Sequence, residues 1–368
     1  MIVSGKTGGH IFPGVALARE IRARRPEAPI LFIGSPGGLE GRILPETGFP
    51  LETVAASGFV GKSLSGKLLS LARLPAGFLQ ARAILSRNRS RAVAGMGGYV
   101  SVPVLAAARS LGMPTLVHDS NARPGVATRL ANRFATRTAV GLARSNALLA
   151  RPGIVTGTPV RAEFFEIPPV SAAGRTRRLL VFGGSQGSAV LNRALIEATR
   201  RLGGADLEVV HQTGEAHFAS TQAAYGEVPA RWRLAPFLPR LFEELAWADL
   251  VVSRAGAMTL AELAAAGRPA ILVPFDSATH GHQRENALAF LQGGAARLIE
   301  EPALTGETLA SEVAELFSDR PRLARMGQAA RALAVPDAAR RLADLLFEAE
   351  DTARPDSPGA PSRNTGPE

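Results

Sequence analysis

The sequence predicts an α/β protein made of two doubly wound domains. Short apolar runs alternate with helical stretches of about 10–15 residues, the rhythm of parallel sheets joined by crossover helices. Each half opens alike, with a strand, a glycine turn and a helix, first from Met1 to Arg25 and again from Arg178 to Leu202. A length of 368 residues suits two domains better than one.

In chain order, a helical stretch from Gly14 to Arg25 precedes the apolar run Ile30-Leu31-Phe32-Ile33. Ala92-Val93-Ala94 leads into a second glycine loop, and Thr115-Leu116-Val117 and Gly153-Ile154-Val155 read as further short buried strands. The second half restarts with Arg178 to Phe182, a glycine loop, and a helix from about Ala189 to Leu202. Its later strands are Leu207 to His211, Leu250 to Val252 and Ala270 to Val273. The expected domains are residues 1–160 and 161–336, joined near Gly157 to Arg161. Ligands of such sheets bind beyond the carboxyl ends of the strands, so a cleft between the two domains is the expected site. Residues 351–368 are rich in Pro, Ser and Gly and are expected to form a disordered tail.

Composition narrows the function. Net charge is +10, and Lys occurs only at Lys6, Lys62 and Lys67, so the basic residues are nearly all arginine. Such a chain expects anionic partners. Aromatic residues are only 5%, which speaks against single-stranded nucleic acid, whose bases need stacking rings. There is no cysteine, which excludes disulfides and Cys-ligated metal and fits a reducing compartment. No apolar run reaches the length of a membrane span, and no secretory signal is expected. The short first strand leaves room for a few further residues ahead of Met1.

Six loops have the chemistry of a site. Ser4 to His10 is a glycine turn opening onto a helix. Its Gly5-Lys6-Thr7 is not a P-loop, because that motif's first glycine would stand five residues ahead of Gly5. His10 at its mouth suits a general base near neutral pH. Gly95 to Ser101 lets a backbone or substrate approach closely. His118-Asp119-Ser120-Asn121 follows an apolar strand, as either a site or an Asx turn. Gly183 to Ser188 is the best phosphate cradle, between a clear strand and a clear helix. It lacks the dinucleotide glycine spacing, so NAD is disfavoured. In Ser253 to Glu262, Thr259 and Glu262 fit a capping box, while the same carboxylate has the two oxygens that grip a vicinal diol. Pro274 to Asn286 is dense in polar groups, but the irregular spacing of Asp276, His280 and His282 argues against a metal. No Asp-x-Asp occurs anywhere.

Lys62 to Arg91 differs in kind, with seven basic residues and no acidic one among Leu68, Leu69, Leu71, Leu74, Phe78 and Leu79. It reads as a pair of core helices with a solvated basic face, or as a basic apolar surface for anionic lipid.

Together these stretches resemble the MurG-type peptidoglycan N-acetylglucosaminyltransferases. The resemblance rests on Thr7-Gly8-Gly9-His10-Ile11-Phe12-Pro13, Gly95 to Ser101, Gly183-Gly184-Ser185-Gln186-Gly187, Arg254 to Thr259, and His282-Gln283 with Asn286. It implies a GT-B glycosyltransferase of two Rossmann-like domains. The N-terminal domain would take an undecaprenyl-linked acceptor, lipid I, and the C-terminal domain UDP-GlcNAc. A last helix, about 337–350, would pack back on the N-terminal domain. The resemblance places Thr7, Gly8 and Gly9 on the donor diphosphate and acceptor side, with Asn121 close by. Arg161 and Ser185 would meet the diphosphate and uridine. Ala257, Met258, Thr259, Leu260, Ala261 and Glu262 would wrap the nucleoside, with Glu262 on the ribose hydroxyls. Gln283 would hold the donor sugar, and Tyr99, Gln186, Leu238 and Asn286 complete the substrate set. Lys6, Asp119 and Thr158 depart from the family's usual Gly, Glu and Asn.

The implied reaction is an inverting displacement at C1 of the donor sugar by the C4 hydroxyl of N-acetylmuramic acid, with no cofactor and no metal. His10 is the first candidate base and Asp119 the second. Lys67, Leu68, Leu71, Arg73, Phe78 and Arg82 would rest on the anionic cytoplasmic face of the inner membrane. A diacylglycerol glycosyltransferase and a UDP-sugar epimerase are the competing enzymes. A basic nucleic-acid binder is the competing class outside enzymes.

Overall fold

The computed structural model describes residues 1–5, 7–56, 64–173, 176–202, 206–275 and 282–353, the side chains of 64–73 excepted. They form two compact units. The first comprises Met1–Ser120, Pro124–Pro159 and the chain from Asp337, the second Asn121–Arg123 and Val160–Pro336.

The first unit runs β1 (Ile2–Val3), α1 (Gly8–Arg24), β2 (Phe32–Gly34), α2 (Glu40–Thr47), β3 (Leu51–Thr53), α3 (Leu64–Arg87), β4 (Val93–Gly95), α4 (Ser101–Ser110), β5 (Thr115–Asp119), α5 (Val126–Asn132), β6 (Arg137–Val140) and β7 (Ile154–Val155). Its seven strands lie in the order β3-β2-β1-β4-β5-β6-β7, every neighbouring pair parallel. Side chains alternate across the sheet, as the period of two requires. Ile2, Phe32, Ala94 and Leu116 pack on one face with Ile11, Val15 and Leu17 of α1. Val3, Ile33, Val93 and Val117 pack on the other with Leu85 of α3 and Val104 and Leu105 of α4.

The second unit runs β8 (Arg177–Phe182), α6 (Ala189–Ala198), β9 (Leu207–Gln212), α7 (Phe218–Tyr225), β10 (Trp232–Ala235), α8 (Leu241–Trp247), β11 (Leu250–Ser253), α9 (Ala257–Ala266), β12 (Ala270–Leu272), α10 (His282–Gln292), β13 (Ala296–Leu298), α11 (Gly306–Ser318) and α12 (Arg320–Ala332). Its parallel sheet has the order β10-β9-β8-β11-β12-β13. The final helix, α13 (Ala338–Thr352), belongs to the first unit, where Leu342, Ala343, Leu345 and Leu346 join the core beneath α1. Arg24 reaches Asp344 at 2.7 Å and Arg25 reaches Glu350 at 2.7 Å along the same seam.

In both sheets the strand order reverses beside the first strand, between β1 and β4 and between β8 and β11. Crossovers leave in opposite directions there, and the carboxyl ends of the flanking strands stay uncovered.

The structure corrects several expectations. Ile154 and Val155 do form a strand, but at the sheet edge and exposed by 48% and 42%. Lys62 to Arg91 is no helix pair, because one helix, α3, runs from Leu64 through Pro75 to Arg87. The helix after the first glycine turn starts six residues earlier than Gly14, and α6 ends before Leu202. The strands β3, β6, β10 and β13 carry a charged residue among three or four positions, which hid them.

Candidate functional site

In the first unit the glycine turn after β1, the loop after β4 and the carboxyl end of β5 come together. Gly97 and Gly98 have φ of 91° and 78°, the left-handed region that glycine alone enters freely. A Cβ on Gly97 would stand 2.8 Å from Cδ2 of His10, and one on Gly5 2.9 Å from Nδ1 of the same ring. Two glycine loops therefore form the slot that holds this imidazole. Ser101 Oγ donates to the Gly97 carbonyl at 2.7 Å and fixes the second loop. Thr7, at the N-cap of α1, places its Oγ1 3.2 Å from His10 Nδ1. Gly8 is buried, and Thr7 and Gly9 are exposed at the helix tip.

Burial lowers the affinity of His10 for a proton, while the negative charges of Asp119 and Glu40 raise it. The net shift is downward, which favours the neutral imidazole, the form that can accept a proton. Asp119 is buried, and its Oδ2 accepts the Gly125 N–H at 2.9 Å. His118 is also buried and donates from Nε2 to the Gly157 carbonyl at 3.0 Å. Its proton affinity is likewise lowered by desolvation. Tyr99 is half-buried, with its phenol pushed up by desolvation.

In the second unit the loop Gly183 to Ser188 joins β8 to α6. Gly184 and Gly187 adopt φ of 85° and 73°. A side chain on Gly187 would strike the Thr213 carbonyl, and one on Gly214 the Gln186 carbonyl, so the loop lies flat on the end of β9. Gln212 accepts the Gly183 N–H at 3.3 Å. Ser188 caps α6, with its Oγ accepting from Leu191 N. Ser185 is half-buried and Gln186 exposed. The first amides of α6 have no partner inside the helix and present partial positive charge.

After β11 the same pattern recurs at Arg254-Ala255-Gly256 and α9. Buried Arg254 donates to Ser188 Oγ at 3.1 Å and to the carbonyls of Val273 and Pro274 at 3.2 Å, and pairs with Glu301. Met258 and Leu260 are buried, and Ala257, Thr259 and Ala261 half-buried, along α9. The N-cap of α9 is Gly256, and its side-chain-free position accepts nothing from the helix. Glu262 stands at the sixth helical residue and is buried, so the capping-box reading fails. Burial pushes its carboxyl up to about 7, against the pull of the Arg161 guanidinium 3.8 Å away. Its Oε1 has no hydrogen-bond partner in the described structure. Arg161 also lies over the Phe164 ring, 4.9 Å from its centroid.

Gln283 accepts from the amides of Ala255 at 3.2 Å and Phe275 at 2.9 Å, which fixes the turns after β11 and β12. Asn286 donates to the Ala255 carbonyl and accepts the Ala122 N–H at 2.8 Å. Asn121, expected beside Thr7 to Gly9, belongs to the second unit, with its Oδ1 3.4 Å from Nδ2 of Asn286. Leu238 is buried in the loop after β10. Asp276 and His280 lie outside the described residues, among which no group of His, Asp and Glu is placed to hold a metal ion.

Of the expected membrane residues, Lys67, Leu68, Leu71 and Arg73 have side chains outside the described residues. Phe78 packs half-buried against the first unit's core, and Arg82 donates to Ser110 Oγ at 2.8 Å. Leu79 is 64% exposed. No described helix is long and apolar enough to cross a membrane. Sequence reasoning missed Glu40 and Arg254 as individual residues. Glu40 gave a faint signal, a lone acid just after Gly34-Ser35-Pro36-Gly37-Gly38 at a strand end.

Comparison with known proteins agrees with this geometry. Residues 1–140 match the glycosyltransferase family 28 N-terminal domain, and residues 178–342 its C-terminal domain. The UDP-N-acetylglucosamine–N-acetylmuramyl-(pentapeptide) pyrophosphoryl-undecaprenol N-acetylglucosamine transferase of Anaeromyxobacter sp. (strain K) is 42% identical, over 95% of this chain and 92% of its own. The enzyme of that name from Methylococcus capsulatus is also 42% identical, over 95% and 98%. The crystal structure of Acinetobacter baumannii MurG superposes with a TM-score of 0.73 at 28% identity, covering 94% of this chain and 99% of that one. With both catalytic-domain signatures in order and such identity over nearly its whole length, the chain belongs to glycosyltransferase family 28, among the MurG-type N-acetylglucosamine transferases.

Proposed function

We propose that the chain transfers N-acetylglucosamine from UDP-N-acetylglucosamine to the C4 hydroxyl of N-acetylmuramic acid in lipid I, making lipid II. The identity over nearly the full length to transferases of that name carries this reading. The second unit takes the donor. Glu262 has a buried oxygen without a hydrogen-bond partner, suited to a ribose hydroxyl. Ser185, Gln186 and the amides of the flat glycine loop meet the diphosphate, and Arg161 adds positive charge. Gln283 turns to the donor sugar, and Ala257 to Ala261 enclose the nucleoside.

The first unit takes the acceptor around Thr7, Gly8, Gly9, Tyr99 and Asp119. In the reaction the acceptor oxygen bonds to C1 of the donor sugar with inversion, and the bond from C1 to the diphosphate oxygen breaks. The hydroxyl proton passes to His10, and UDP departs carrying the bonding electron pair. Charge grows on the diphosphate as the bond lengthens. Fixed amides at helix tips and an arginine stabilise it there without reorganising. The acceptor's lipid tail places the reaction at a membrane, and the basic segment around α3 docks the enzyme on its anionic cytoplasmic face.

His10→Ala tests the base. Turnover should fall about 100-fold or more, the usual span of general base catalysis, with UDP-N-acetylglucosamine affinity unchanged. Unchanged turnover would remove His10 from the role.

A further inference from the structure

Glu40 is fully buried at the carboxyl end of β2, the strand next to β1, whose own carboxyl end carries His10. Its Oε1 accepts from Ser35 N at 2.9 Å and Ser35 Oγ at 3.2 Å. Its Oε2 is buried and has no hydrogen-bond partner among the described residues. The chain is shaped to this side chain. A Cβ on Gly34 would stand 2.6 Å from Glu40 Cγ, and one on Gly38 would collide with the carboxylate itself. A half-satisfied buried carboxylate costs stability, and an apolar residue would fill the same space without that cost. A buried charge is, however, weakly screened, so its field reaches neighbouring groups strongly.

We propose that Glu40 is a positioning residue for transfer: a fixed buried negative charge which, with Asp119, stabilises the imidazolium formed when His10 takes the acceptor proton. The inference rests on His10 being the base. Glu40 is sealed from solvent and does not touch substrate; it acts through the ring. The titratable groups electrostatically coupled to His10 are Asp119 and His118 from β5 and Glu40 from α2, and Thr7 from its own turn touches the ring. Lys6 lies outside the described residues. Both carboxylates raise the ring's proton affinity, and burial opposes them. Asp119 is tied to the Gly125 amide and Glu40 to Ser35, so the two charges are held by separate loops.

The test is Glu40→Gln in the full-length enzyme, read two ways. The imidazole titration of His10 is followed by NMR, its signal assigned by its loss in His10→Ala. The pH profile of turnover is measured alongside. The titration midpoint and the acid limb of the profile should move together to lower pH by about half a unit or more, and turnover near pH 7 should fall by up to about threefold for each half unit. UDP-N-acetylglucosamine affinity should stay as it is. If Glu40→Gln does not fold, Glu40→Asp keeps the charge one methylene further back, and a smaller shift in the same direction is expected. A His10 midpoint and acid limb that stay in place in the folded variant overturn the inference. A His10→Ala enzyme at full rate would instead overturn the assignment of the base, while the titration still reads the coupling.

Discussion

Arg161 and Glu262 stand 3.8 Å apart, close enough to attract and too far to share a hydrogen bond. Burial outweighs that attraction and lifts the Glu262 carboxyl to about 7. The folded chain therefore holds this proton more tightly than the unfolded chain. Its contribution to stability declines as pH rises from about 4.5 to about 7 and is level above that. Two ribose hydroxyls donating to the carboxylate would favour its charged form. UDP binding near pH 7 should then release about half a proton, seen by calorimetry in buffers of different ionisation enthalpy. Glu262→Gln should abolish the release and weaken UDP. Binding with no proton exchange at that pH would place the ribose elsewhere.

Arg254 ties the cap of one helix to the strand that precedes another. A single guanidinium reaches Ser188 Oγ and two carbonyls beyond β12. Its planar fork fits these directions at once, which a lysine ammonium cannot do. Arg254→Lys should loosen the glycine loop while leaving the net charge alone. UDP affinity is expected to fall about tenfold or more, and the apo enzyme's thermal midpoint to drop by a few degrees. Wild-type affinity in this variant would show that the loop holds its shape unaided.

His211 is buried under the same loop. Its Nε2 donates to Asn192 Oδ1 at 3.0 Å and its Nδ1 accepts from the Tyr225 hydroxyl at 3.1 Å. Asn192 passes the support on to the Thr213 carbonyl. Desolvation lowers the His211 pKa to about 4. The unfolded chain therefore takes up its proton first, and stability is lost as pH falls from about 6.5 toward 4. The loss is on the order of 3 kcal/mol once complete. His211→Asn should be less stable at pH 7.5 yet show a flatter decline over that window in urea titrations. An unchanged slope would assign the acid sensitivity to other groups.

Much of this was legible from the chain because glycine and strand signals coincide. Gly183 to Ser188 sits between six strand residues and a ten-residue helix, so its place at a strand's carboxyl end followed from order alone. Glu262 was ambiguous for a physical reason. Thr-x-x-Glu spacing marks a cap only at a helix start, and the true start is two residues ahead of Thr259. Glu40 gave only a faint signal, because its role depends on which strands are neighbours. The sequence places it 30 residues from His10, and only the adjacency of β1 and β2 brings both to one edge. Strands such as β13, Ala296–Leu298 with a central arginine, are too short for a periodic signal.

On α3, Leu79 is exposed by 64% whereas its neighbour Phe78 is committed to the core. Removing Leu79 from the helix therefore changes the surface and leaves the packing intact, which makes it a clean probe of lipid docking. An apolar side chain entering the interface adds to the attraction of basic residues for anionic lipid, about 1 kcal/mol for each of the latter. Leu79→Asp both removes the apolar group and adds a repelled charge. Its partition onto vesicles containing phosphatidylglycerol should fall about tenfold, with the thermal midpoint unchanged. Wild-type binding should weaken at high salt and be slight on neutral vesicles, since screening reduces the basic contribution. Turnover of a short-chain soluble acceptor should be the same in both proteins, which separates docking from catalysis. Equal vesicle partition of the two proteins would move the docking surface off this face of α3.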